Sequence, residues 1–394
     1  MIVMRKIRFQ DILHPAMFFS CFYIFFIGFS ALYHWVFLPD FNIETVTYFI
    51  ILLYITVFLL SSNFFTPLLL SYKPRKIKFI HPKKNIKKTS VLGIILVFFG
   101  ALFHLYYYFS IGFLPIFHDE VANVRVTAKQ GFGGVVLLGG GAIYAGMIML
   151  SSCFMSYGKI GKVATFLILG ASVFIISGVG FRGPAAYLAL VFFLNIYFTS
   201  NDYLRKNKIS HKHVVLGFVF VLFLSILDRL RHGYGLSVDG VLQILWAMTV
   251  NFYNLIDIVA GMEKGDIDYY YGSSIINDFF AALPLLDGQF LGVELKVLLQ
   301  KEFSGDGMTV TAPGEGFVNG GWVGVVFHAF LLGALSEIIY KIFTDKGTVN
   351  SIMILVFLSV SIARMSVSGL MPMIVFFVVP VFIFLMPALW ICRE

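Results

Sequence analysis

The feature that most constrains this chain is a succession of apolar stretches of membrane-crossing character. Ten can be read off, at roughly 16–38, 46–70, 91–113, 131–155, 163–178, 184–199, 214–227, 321–340, 351–363 and 370–390. A span needs ~20 residues, so the fifth, sixth, seventh and ninth must recruit loop residues or begin below the interface. Hydrophobic residues make up 59% of the chain and charged residues 13%. Soluble domains run near ~45–50% apolar and ~25% charged. The predicted fold is therefore an all-α polytopic membrane protein of about ten transmembrane helices. The first run follows Arg5, Lys6 and Arg8, as in a signal peptide. It is longer than a secretory apolar region and lacks a clean cleavage site, so a retained span is expected.

Charge supplies the topology. With the N-terminus inside, 20 of the 29 basic residues fall in cytoplasmic segments, eight of them between Lys73 and Lys88. The outer segments then hold most of the acids, including Asp40, Glu44, Asp119 and Glu120. This positive-inside pattern predicts that both termini are cytoplasmic. The net charge of +8 is thus a topology signal, and no nucleic-acid partner is expected. The 72–90 loop is placed to touch anionic lipid. Three parts follow: seven helices in 1–227, a large extracytoplasmic loop in 228–320, and three helices in 321–394. Within the loop, the apolar 241–262 segment is interrupted by Gln243, Asn251, Asn254 and Asp257. An amphipathic helix in the outer leaflet fits it, because an eleventh span would carry the acidic 263–320 segment inside and spoil the charge pattern. Residues 272–318 read as short helices and Gly-rich loops, with Pro284 and Pro313 as breakers.

Outer basic residues run against the topology rule, and those abutting predicted spans are all arginine: Arg182, Arg229, Arg231 and Arg364. Arg125 lies in the loop between the third and fourth spans. Guanidinium is planar, permanently charged and suited to bidentate phosphate contacts. Arginines converging at one depth would form an oxyanion clamp; alternatively they snorkel to headgroups or pair with Asp228 and Asp119. Arg182 sits in Gly178-Val179-Gly180-Phe181-Arg182-Gly183-Pro184, where flanking glycines such as Gly183 let backbone approach a ligand closely.

A second stretch, Thr309 to Gly324, is rich in glycine, holds Glu315, and runs into the eighth span. No P-loop lysine follows, so it is not a nucleotide loop. It reads either as a sugar shelf, with Gly314, Gly316 and Asn319 lining it and Glu315 accepting a hydroxyl proton, or as a re-entrant turn with a solvated Glu. His232, beside Arg231, is the other candidate base. Asp266-x-Asp268 and His118-Asp119-Glu120 are weaker cation candidates. Gly131, Gly133, Gly134 and Gly139–Gly141 mark the fourth span for close helix packing. Glu337 would snorkel or cap. Cys21, Cys153 and Cys392 have no metal-ligand spacing, so neither a disulfide framework nor a zinc site is supported.

The Gly-Phe-Arg-Gly turn, the long loop beginning near Asp228-Arg229, the run Pro-Gly-Glu-Gly-Phe-Val-Asn-Gly-Gly-Trp-Val-Gly before a span, and the late Arg364 together resemble the Wzy-type O-antigen and capsule repeat-unit polymerases. The resemblance covers the whole chain as an arrangement and implies a GT-C-like architecture in the bacterial inner membrane. It implies a glycosyltransferase of lipopolysaccharide or capsule biosynthesis whose donor is a glycan on polyprenyl (undecaprenyl) pyrophosphate, with one lipid-linked repeat unit as acceptor. The site would face the extracytoplasmic side, with a flippase and a chain-length regulator as partners. Fixed arginines would stabilise the departing pyrophosphate, so neither metal nor cofactor is expected. An O-antigen ligase shares the donor. A flippase would favour more spans with short loops, and a membrane acyltransferase a site open to cytoplasmic donors.

Overall fold

A computed structural model of the protein describes residues 13–37, 45–70, 86–118, 124, 128, 131–180, 182–199, 238–281, 288–302, 307–346 and 348–392. Among these residues the chain is helical and has no strand. Eight described helices are long and apolar enough to cross a membrane, as expected of a multi-pass membrane protein. The first five are α1 (Pro15–Val36), α2 (Thr45–Leu69), α3 (Ile86–Ile111), α4 (Gly133–Ser156) and α5 (Lys159–Gly178). A shorter α6 (Arg182–Thr199) and the long α7 (Val238–Lys264) follow. Next come α8 (Ser273–Ala281) and α9 (Leu291–Leu298). The last three spans lie in α10 (Ala312–Lys346), α11 (Val349–Ser368) and α12 (Leu370–Ile391). Nine of the ten predicted stretches thus fall on helices, and 214–227 lies outside the described residues. The fifth and ninth reach 20 residues each by recruiting their flanks.

The eighth stretch differs from expectation. Residues 312–319 are not a glycine-rich loop but about two turns of helix. Thr311 caps it through its hydroxyl, which accepts from the Gly314 N–H at 3.3 Å. Pro313 starts this helix rather than breaking one, because an N–H in the first turn has no partner to lose. The helix is interrupted at Gly320 and at Gly321, whose φ of 56° and ψ of −138° suit glycine alone. The two arms then fold against each other: a Cβ on Gly324 would lie 2.1 Å from the Gly316 carbonyl oxygen. In an unbroken helix those residues would be ~12 Å apart.

The chain forms two compact units, neither continuous in sequence. The first comprises residues 1–77, 245–345 and 357–375. Its core joins α1, α2 and the long arm of α10 through stacked rings and small residues. Phe19 stacks on Phe58 at 4.1 Å, and the Tyr23 hydroxyl donates to the Ile51 carbonyl at 2.9 Å. Ser61 donates to the Phe330 carbonyl, and a Cβ on Gly333 would sit 2.5 Å from the Phe58 carbonyl. Glu337 does not snorkel. It is fully buried, and its Oε2 lies 2.8 Å from His14 Nε2. His14 Nδ1 accepts from the Ala16 N–H, leaving Nε2 to donate to that carboxylate.

Three of the polar residues that interrupt α7 also find partners in this unit. Thr309 donates to Asn251 and accepts from Asn254, both at 2.8 Å. Asp257 pairs with Lys301 at 2.8 Å. Spaced three residues apart, these groups share one helix face.

The second unit comprises residues 78–244, 346–356 and 376–394. Here α3 and α4 cross antiparallel through paired glycines. Gly93 faces Gly146, and Gly100 faces Gly139; an added Cβ on Gly100 or Gly146 would lie 2.5 Å from the opposing carbonyl. Gly141 packs as closely on Pro380. In lipid, helix association rests on such close approach, because tails solvate apolar side chains as well as a neighbour does. Of the glycines expected to pack, Gly139 and Gly141 do so, whereas Gly131, Gly133, Gly134 and Gly140 have no described atom within 4 Å. Gly146→Ala is therefore expected to destabilise the protein by about 1–3 kcal/mol, the range for overpacking. Thermal unfolding in detergent should show a lowered midpoint for Gly146→Ala and none for Gly140→Ala. Equal midpoints would refute the close crossing.

Candidate functional site

The fold-back of α10 creates the most chemically loaded site among the described residues. It turns Glu315 away from solvent, to 2% exposure, and against the start of α12. Oε2 of Glu315 accepts from the Leu370 N–H at 2.6 Å. That N–H is an orphan donor of a helix start, so a carboxylate from another segment caps α12. Gly369 makes the approach possible. Its φ of 81° ends α11, and a Cβ there would lie 2.9 Å from Glu315 Oε2 and 3.0 Å from the Val310 carbonyl. Any side chain would obstruct the cap.

His328 lies on the long arm of α10, thirteen residues beyond Glu315, and the reversal brings the two together. Its Nε2 is 3.7 Å from Glu315 Oε2, outside hydrogen-bond range. Its Nδ1 is hydrogen-bonded to the Tyr54 hydroxyl at 2.8 Å. Tyr54 is fully buried and stacks on Tyr23 at 5.8 Å. Neither Glu315 Oε1 nor His328 Nε2 has a hydrogen-bond partner among the described residues. Buried polar atoms without partners are costly, and such pairs concentrate where a substrate group completes the network.

The remaining sequence candidates divide by location. Asn319 ties the site to the neighbouring loop: it donates to the Glu315 carbonyl and accepts from the Gly272 N–H and the Ser274 hydroxyl. Gly314 and Gly316 are buried within the protein, Gly314 against Leu255 and Ile258, Gly316 against Val325 and His328. The segment is therefore an internal packing surface, not an open shelf, and Glu315 is not solvated. Arg364 is half-buried on α11, five residues before Gly369, and its carbonyl accepts from Ser368. Arg182 and Gly183 open α6 in the second unit, after a turn in which Gly180 takes φ of 89° and donates to Ser177. Arg125, Arg229, Arg231 and His232 lie outside the described residues.

Sequence reasoning missed His328, Tyr54 and Gly369. An ionisable residue inside a span is a functional signal in its own right, and His328 carried it. Asp278 was missed too. Buried on α8, which packs on the first turn of α12, it accepts from the Leu291 N–H at 2.6 Å and so caps α9. A polar cavity of about 380 Å³ opens elsewhere in the unit, between Asp257, Lys264, Asp266 and Gln300, and does not include Glu315.

Residues 11–378 match the model of a protein family described as "Putative O-antigen polymerase". The chain belongs to this family. Membership implies polymerisation of glycan repeat units by a membrane enzyme of glycosyltransferase type, acting on lipid-linked oligosaccharides. Neither the curated proteins nor the solved structures gave a match. For this O-antigen polymerase family member, the match spans every element that builds the Glu315 site.

Burial pushes the Asp278 carboxyl up to about 6, against the lowering effect of the Leu291 N–H, with Glu294 adding to the rise. Because the folded state holds this proton more tightly, the contribution of Asp278 to stability falls as pH rises from about 4 to about 6. Asp278→Asn keeps an acceptor for Leu291 and removes the charge. Its unfolding midpoint should exceed the wild-type value above pH 6, and the difference should vanish near pH 4. A pH-independent difference would contradict a buried titrating carboxyl.

Proposed function

We propose that this protein joins oligosaccharide repeat units carried on polyprenyl pyrophosphate, on the extracytoplasmic side of the bacterial inner membrane. Family membership and the positive-inside charge pattern support the reaction and the side. The observation that supports the residue roles is Glu315, whose side chain lies beside His328 with Oε2 anchored on Leu370 and Oε1 without a partner among the described residues. A carboxylate held by one oxygen is oriented, and its second oxygen is left to accept a proton.

In the proposed reaction an acceptor-sugar hydroxyl attacks the anomeric carbon of the donor glycan. The new glycosidic C–O bond forms as the bond from that carbon to the pyrophosphate oxygen breaks. The hydroxyl proton passes to Glu315 Oε1, and the bonding electrons leave with the pyrophosphate. Guanidinium groups meet the charge that grows on this leaving group. Arg364 is the candidate within the first unit, ~7.5 Å along the helix axis from Gly369 at 1.5 Å per residue. On sequence grounds alone Arg125, Arg182, Arg229 and Arg231 are further candidates for this role, and His232 is the rival base. The charge these side chains supply means that the scheme needs no metal. Because Glu315 is buried, the acceptor reaches it when the 312–319 arm shifts, and the Gly320–Gly321 break is the natural pivot.

Deleting the gene and resolving the surface glycan as a ladder tests the reading. A single-repeat band supports polymerisation, complete loss of surface glycan points to ligation, and an unchanged ladder refutes both. Glu315→Gln preserves an acceptor for Leu370 and removes basicity, so chain extension should fall ~10²–10⁴-fold. Normal extension by this variant would withdraw the base assignment.

Arg364→Lys keeps the charge and loses the fork. Its extension rate should fall nearly as far as that of Arg364→Ala, by ~10²–10³-fold. Full activity with lysine would replace phosphate geometry with simple charge balance.

A further inference from the structure

The loop between α7 and α8 carries three consecutive tyrosines, Tyr269, Tyr270 and Tyr271, in an arrangement that packing does not explain. Tyr270 faces inward. It packs against the cluster of Ile258, Ile267, Leu291 and Leu295, and its backbone N–H donates to the Val318 carbonyl at 3.1 Å. Its neighbours face outward: Tyr269 is 45% exposed and Tyr271 82% exposed. Tyr271 also adopts φ of 50°, the left-handed region that bulky residues rarely enter. A residue held there without burial gains nothing from the core in return. Local strain of this kind concentrates where a side chain is presented to a ligand.

The loop is also fixed to the candidate site. Asn319 accepts from the Gly272 N–H at 3.0 Å and from the Ser274 hydroxyl at 2.8 Å, and donates to the Glu315 carbonyl at 2.8 Å. One amide thereby holds the tyrosine loop and the Glu315 helix in register. Tyr269 reaches to the break in α10, its hydroxyl 3.1 Å from where a Cβ on Gly321 would lie. The two exposed rings stand 5.9 Å apart at 49°, and Asp266 and Asp268 are exposed in the same loop.

We propose that Tyr269 and Tyr271 form a carbohydrate-stacking subsite that holds pyranose rings of the glycan next to Glu315. A pyranose presents C–H groups on one face and hydroxyls around its edge. Aromatic faces, electron-rich at the centre, attract the C–H face, and carboxylates such as Asp266 and Asp268 accept from edge hydroxyls. The rings recognise shape more than identity, which suits a groove through which successive units pass. This inference rests on the polymerase reading and assigns the residues that retain the chain during extension.

The test uses the full-length protein in nanodiscs. The probe is the oligosaccharide freed by mild acid from the single-repeat lipid of a gene-deletion strain. Saturation-transfer NMR should place one face of its pyranose rings against protein aromatics. Tyr269→Ala and Tyr271→Ala should each weaken binding roughly tenfold, the scale of single stacked rings in other polymer-binding grooves. Tyr271→Phe should bind as the wild type. Tyr271→Gly, which the left-handed backbone favours, should unfold at an equal or higher temperature and still lose binding, which separates recognition from folding. In cells, Tyr271→Ala should give short chains where Glu315→Gln gives none. Undiminished oligosaccharide binding by both alanine variants overturns the subsite, as does a shortened ladder with binding intact, which would assign the rings to lipid headgroups. An unchanged ladder on gene deletion would instead sink the polymerase reading, a result these variants cannot produce.

Discussion

Much of the first unit depends on one hydrogen bond, from the Leu370 N–H to Glu315 Oε2. It satisfies the first orphan donor of a span with a carboxylate from a distant segment, where no residue of that span could do so. Leaving either partner of such a bond unpaired in an apolar interior is costly. The bond requires three backbone exceptions: the reversal at Gly320–Gly321, the left-handed Gly369, and the helix start at Pro313. The same reversal brings Glu315 beside His328, so the device that holds the fold also assembles the chemistry.

Lipid as solvent explains why the polar groups come in sets. Inside a span a lone polar side chain has no water to turn to, and each must find a protein partner. Glu337 finds His14, and Tyr54 finds His328. Other buried polar atoms, such as those of Asn195 and Thr47, also lack a hydrogen-bond partner among the described residues; Glu315 Oε1 and His328 Nε2 differ in belonging to two ionisable side chains that lie together. In the second unit, where α3 and α4 meet through glycines, contact distance takes the place of polar glue.

The apolar runs made the helices legible because the lipid requirement acts on each segment separately. Local signals also served at Gly139 and Gly141, whose packing role follows from their place in an apolar run. Reading failed where long-range contact overrides local preference. Four glycines and a proline between Pro313 and Gly321 look like a loop, and only their tertiary partners make 312–319 helical. With that segment taken as a loop, the thirteen residues separating Glu315 from His328 gave no hint of a meeting. Nothing in the sequence marked Gly369, because what requires glycine there is a carboxylate fifty-four residues away. Arg364 and Glu315 drew notice through their charge, but the sequence put them in different parts of the chain, and only the fold brings both into one unit.

The account comes down to whether this chain, by itself, converts single lipid-linked repeat units into longer ones. The most direct measurement is reconstitution of the purified protein in liposomes with the single-repeat polyprenyl-pyrophosphate lipid as sole substrate. Glycan length and freed polyprenyl pyrophosphate are then counted together. One polyprenyl pyrophosphate released for each new linkage, in wild type and not in Glu315→Gln, is the predicted result. Release without chain growth, or equal growth by the Glu315→Gln protein, would contradict it.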